Sequence, residues 1–175
     1  MMKRLTKTVA LACMGTVLPL VAAHAQNNSA STAAKSPTEI VKSVVETDLS
    51  ALIIDEGHVV DEVHPFEEPS VRGKTEDGLL FVLIGTACDK NGVAGCQGIN
   101  MQVRYDSDES VTTDGINEAS LNEAALSTSW DKDGKTVIFS RYVVLDGGVT
   151  YLNIRENLRV LLTVGPLANK YVFPE

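Results

Sequence analysis

The spacing of hydrophobic and polar positions switches between helical and strand periods along the chain, and each switch predicts an element. Ile40, Val41, Val44, Val45, Leu49, Leu52 and Ile53 follow three-and-four spacing, which gives one buried helical face, and Gly57 is placed to end that helix. Its expected start is Ser36-Pro37-Thr38-Glu39: an N-cap serine, a proline at the first helical position and a glutamate at the third. The period then falls to two, predicting short strands over 59–63 and 70–74 and a turn at Glu76-Asp77-Gly78. The nearly continuous apolar run over 79–87 reads as a central strand covered on both faces, and 99–105 alternates as its hairpin partner.

Residues 106–110 form an acidic loop. Thr113 or Asp114 can cap a second, weakly amphipathic helix running to about Leu126. Strands over 126–130 and 136–145 flank Asp131-Lys132-Asp133-Gly134-Lys135, a strong hairpin signal, and Asp146-Gly147-Gly148 breaks the second of them. Thr150 opens a last helix carrying Leu152, Ile154, Leu158, Leu161 and Leu162, with an interruption expected at Gly165-Pro166 and a final turn packing back over 167–173. Because the strands come in hairpins between helices, the predicted class is α+β with an antiparallel sheet.

The first 25 residues stand apart. Lys3, Arg4 and Lys7 precede an apolar stretch over 9–21, and Ala23-His24-Ala25 supplies a small-x-small cleavage pattern, so an export signal cleaved before Gln26 is expected. A membrane anchor needs roughly 20 apolar residues, and Pro19 interrupts this shorter stretch. Lipidation at Cys13 lacks the leucine usually found three residues upstream, where Ala10 stands. Residues 26–36 read as a flexible tether and 37–175 as a single domain.

After cleavage Cys88 and Cys96 remain, an even number in an oxidising compartment, where a disulfide is the default. They bracket Asp89-Lys90-Asn91-Gly92-Val93-Ala94-Gly95, turn chemistry that the bond would staple as a hairpin. Zinc would need about four ligands. A redox catalyst more often shows Cys-x-x-Cys opening a helix.

Composition places the 175 residues among ordinary globular domains, with 44% hydrophobic, 22% charged and 5% aromatic residues. The net charge of -8 becomes -11 without the signal, a balance opposed to nucleic-acid binding and to electrostatic docking on anionic lipid.

Several short motifs, taken in order, resemble the YbjN family of bacterial proteins, described as regulators of sensory transduction with a fold similar to type III secretion chaperones. They are Gly85-Thr86-Ala87-Cys88, the loop to Cys96, and Gln97-Gly98-Ile99-Asn100-Met101-Gln102; then Trp130-Asp131-Lys132-Asp133-Gly134; then Asp146-Gly147-Gly148-Val149-Thr150 and residues 153–158. The resemblance covers about 38–164. It departs at Asn117-Glu118-Ala119-Ser120-Leu121-Asn122-Glu123-Ala124-Ala125-Leu126, which lacks the family's aromatic and arginine residues and so leaves room for a different partner. It implies no catalytic residue. It does imply binding of extended or partly folded protein partners and a possible homodimer.

Among chemistry-bearing residues, His58, Glu62 and His64 share one face if 58–64 is a continuous strand, a ligand set suited to zinc or copper; solvated edge residues are the alternative. Asp106-Ser107-Asp108-Glu109 and Asp131-Lys132-Asp133-Gly134 do not fit the calcium-loop pattern, and Gly147-Gly148 lacks a phosphate-loop pattern. No Gly-x-Ser-x-Gly accompanies the two histidines. The expectation is an exported protein of the bacterial periplasm acting without catalysis or cofactor. It would be a protein-interaction or chaperone-like regulatory module with an unidentified protein partner, no nucleic acid and no membrane attachment after cleavage. The alternative is a periplasmic small-ligand or metal-binding protein.

Overall fold

Strands β4 (Leu80–Cys88) and β5 (Cys96–Asp106) are the apolar run and its alternating partner, and they pair antiparallel at the centre of a six-stranded sheet. In this computed structural model, which describes residues 35–90 and 92–173, the remaining elements are β1 (Ile40–Val41), α1 (Glu46–Asp55), β2 (Val59–Val63), β3 (Ser70–Lys74), α2 (Thr113–Asn122), β6 (Ser127–Asp131), β7 (Thr136–Val144), β8 (Val149–Thr150) and α3 (Tyr151–Val172). The large sheet has the order β2-β3-β4-β5-β7-β6, all neighbours antiparallel, and β1 pairs with β8 in a small second sheet. The α+β class follows. Residues 1–34, which hold the expected signal and most of the expected tether, lie outside the described residues.

Helices α1, α2 and α3 pack on one sheet face. Leu49, Leu52 and Ile53 of α1 and Ile154, Leu158 and Leu161 of α3 join Val71, Phe81, Leu83, Ile99, Met101, Val103, Val137, Phe139 and Val143 in one buried cluster. Alternation along the strands selects these residues: every second side chain of β4, β5 and β7 faces the helices. A clasp ties α1 to α3. The Glu56 carboxylate, its side chain 4% exposed, accepts from Arg155 Nε and from Arg159 Nε at 2.6 Å. Beside it Tyr151 donates to Asp55 Oδ2 at 2.7 Å.

Four expectations change. The helix does not begin at Ser36: residues 36–39 form a turn, Ile40 and Val41 pair with Thr150 and Val149, and Val44 exchanges two backbone hydrogen bonds with Cys96. Those pairings claim the backbone groups a helix would have used. The helix starts after Val45, whose N–H donates to Asp48 Oδ2 at 2.9 Å. Lys35, placed in the tether, forms an ion pair with Asp48 at 2.9 Å. Gly165-Pro166 does not interrupt the last helix, which runs unbroken to Val172 because buried Gly165, Ala168 and Val172 hold its far half on the core. The second helix is capped by Thr112, donated to by Gly115 N at 3.1 Å, and ends at Asn122, short of Leu126.

Candidate binding site

The sheet's second face carries the alternate side chains. Registers place Arg72, Val82, Gln102, Ser140 and Ser127 in one row across five strands, and Lys74, Leu80, Arg104, Ile138 and Ser129 in the next. Further along lie Ile84, Asn100 and Tyr142, then Thr86, Gly98 and Val144. Leu80, Tyr142 and Val144 are 44%, 53% and 57% exposed, so apolar groups stand in water on a face that none of the packed helices covers. Gly98 has a specific role here. Tyr142 reaches across it to hydrogen-bond Thr86 Oγ1 at 2.8 Å, and a Cβ at Gly98 would lie 2.2 Å from the tyrosine hydroxyl.

One part of this face is roofed. The segment from His64 to Pro69 turns back over the sheet and is pinned by His64 N donating to Ser70 O at 2.8 Å, Phe66 N to Ser70 Oγ at 3.2 Å, and Gly85 N to Pro69 O at 2.8 Å. Ser70 is fully buried as a result. Between this segment and the sheet lies a cleft of about 290 Å³, lined by Phe66, Arg72, Leu80, Val82, Gln102 and Arg104 among others. Val82 is buried there although it is outside the main core cluster.

The two arginines differ. Arg72 is engaged: its Nε donates to Asp61 Oδ2 at 2.6 Å and its Nη2 lies 2.8 Å from Glu62 Oε2. The hydrogen bond to Asp61 raises its pKa above the ordinary value. Arg104 donates through Nε to buried Gln102 Oε1 at 2.8 Å, and its guanidinium carbon sits 4.4 Å from the centre of the Phe66 ring. Among the described residues it forms no ion pair, and burial lowers its pKa against the opposing charge of Asp131. The outcome is an exposed guanidinium held through Nε and stacked on Phe66, whose terminal N–H groups meet no carboxylate among the described residues.

The histidine–carboxylate set does not assemble. Asp61 is an extra residue in β2, since Val60 pairs with Gly73 but Glu62 pairs with Arg72. This bulge puts His58 and Glu62 on opposite faces. His58 packs edge-on against Phe81, with ring centroids 5.5 Å apart; Glu62 faces Arg72; His64, at φ 56°, lies against the Glu46 carboxylate. Cys88 and Cys96 face each other across β4 and β5, their sulfurs 2.07 Å apart, at disulfide distance. Asp133 and Gly134 form the β6–β7 turn, with Gly134 N donating to Asp131 Oδ1 at 2.9 Å, and Gly147-Gly148 forms the turn into β8, both at positive φ. Arg104 and Gln102 carried no distinctive signal in the sequence: they are ordinary polar positions of an alternating strand, and only the fold of the 64–69 segment makes them a site.

No helix among the described residues is long and apolar enough to cross a membrane. Compared with protein-family models, curated proteins and solved structures, the chain matches none.

Proposed function

We propose that this chain is an exported, non-catalytic protein-interaction module of the bacterial periplasm, chaperone-like in holding an extended segment of a partner protein on its open sheet face. The observation that carries the reading is that face itself: Leu80 is exposed in the cleft with Arg104, which forms no ion pair among the described residues, and Tyr142 and Val144 are exposed further along the same face. A mixed apolar and cationic surface on rigid strands suits recognition of a peptide segment, with apolar contacts supplying affinity and polar ones fixing register. The export signal supports the compartment, and the motif order shared with the YbjN family supports the chaperone-like role.

The test is cross-linked capture from periplasmic extract with the wild-type protein and with Val144→Asp, which places a charge at an exposed point of the face without touching the core. A partner enriched by the wild type and lost from the variant supports the reading. Equal enrichment by both, or no partner with either, overturns it.

A further inference from the structure

We infer that the cleft beneath the 64–69 segment is a carboxylate-recognition subsite, which on the reading above takes an acidic side chain of the partner segment flanked by apolar neighbours. Three features converge. The Arg104 guanidinium is held on one side by Gln102 Oε1 at 2.8 Å and on its face by Phe66, so little freedom remains to be lost when its terminal N–H groups meet an anion. Arg72, the other cleft arginine, is already paired with Asp61 and Glu62, which leaves Arg104 as the acceptor-seeking group. Leu80 and Val82 line the same cleft, supplying apolar contact next to the charge.

Charge selects the ligand class. Among the described residues Arg104 and Arg141 are the arginines that form no ion pair, and of these Arg104 lines the cleft. Asp106 also lines the cleft and forms no ion pair with Arg104. Its charge repels an anion from that end and directs it toward Phe66, Leu80 and Val82. A planar carboxylate matches the guanidinium fork, and an apolar carrier matches the remaining wall.

The experiment is an NMR titration of isotope-labelled protein, following the Arg104 Nε–Hε signal, with hexanoate as probe and hexanamide as its neutral counterpart. Saturable shifts with hexanoate, at least about tenfold weaker binding of hexanamide, and a similar loss in Arg104→Gln at unchanged melting temperature are expected, since a charge-assisted hydrogen-bond pair is at stake. Arg104→Lys, which keeps charge but not the fork, should recover only part of the affinity. Equal binding of acid and amide, or undiminished hexanoate binding by both variants, overturns the subsite. Acetyl-Leu-Glu-Leu-amide should displace hexanoate while its Gln counterpart does not; hexanoate binding that neither peptide displaces overturns the assignment to a partner's side chain and makes the site one for a free acid. Failure of the subsite leaves partner capture dependent on Val144 untouched, so the two readings fail separately.

Discussion

Replacing Glu56 by glutamine keeps the shape of the α1–α3 clasp and removes its charge. In the native protein this carboxylate, 4% exposed, receives Nε–H donors from both Arg155 and Arg159, while Arg155 also donates through Nη2 to Asp55 O at 3.2 Å. Removing one member of a buried ion pair costs about 3–5 kcal/mol when the survivor is left without solvent. Here the arginine side chains retain 21% and 46% exposure, so water recovers part of the loss. The expected destabilisation for Glu56→Gln is therefore about 2 kcal/mol, which for a domain of this size lowers Tm by roughly 6 °C. Urea unfolding followed by circular dichroism gives the free energy, and a double-mutant cycle with Arg155→Gln isolates the pair: a coupling above about 1 kcal/mol is expected for groups in one network. A loss under about 0.5 kcal/mol, the level of an exposed surface pair, would refute the argument that burial gives this clasp its strength.

Three further outcomes follow from the same structure. Burial, then the hydrogen bond to Asp55, raises the Tyr151 hydroxyl pKa well above the ordinary tyrosine value; the native state therefore keeps its proton after the unfolded chain has lost it, and stability contributed by this group falls as pH rises above about 10, by up to about 1.4 kcal/mol per pH unit. Tyr151→Phe should lack that component, and identical alkaline slopes for the two proteins would contradict it. Replacing Cys88 and Cys96 together by alanine should cost roughly 2–3 kcal/mol in urea unfolding, the chain-entropy value for so short a loop; an unchanged midpoint would contradict a stabilising bond. Pro166→Ala should raise stability by about 1–2 kcal/mol, because proline inside α3 supplies no N–H to the helix, and a lower Tm would show that its ring makes contacts that outweigh the missing bond.

What could be read from the chain was mostly local. Strands β2 and β3 fall where alternation put them, Asp-Gly and Gly-Gly sequences mark the turns they were expected to mark, and Thr150 caps α3 through Asn153 N at 3.2 Å. Long-range pairing was less accessible. Ile40 and Val41 satisfy a helical stripe and a strand equally well, and residues 149–150, more than a hundred positions away, decide between them. Pro166 has a strong local penalty that packing of the helix around it overrides. The bulge at Asp61 is a count of one residue against a partner strand, visible only once the pairing is known, and it separates His58 from Glu62. Arg104 remained hidden for the related reason that Phe66, the group that makes it distinctive, arrives through the tertiary fold of a segment between two other strands.

The central claim, that the open sheet face is where a partner protein docks, is tested most directly by photo-cross-linking in living cells from a benzophenone side chain at position 142, on that face, against one at position 120, on exposed α2. The account predicts a discrete covalent adduct from position 142 that is absent from position 120. An adduct from position 120 alone, or none from either position in cells producing the folded protein, would contradict it.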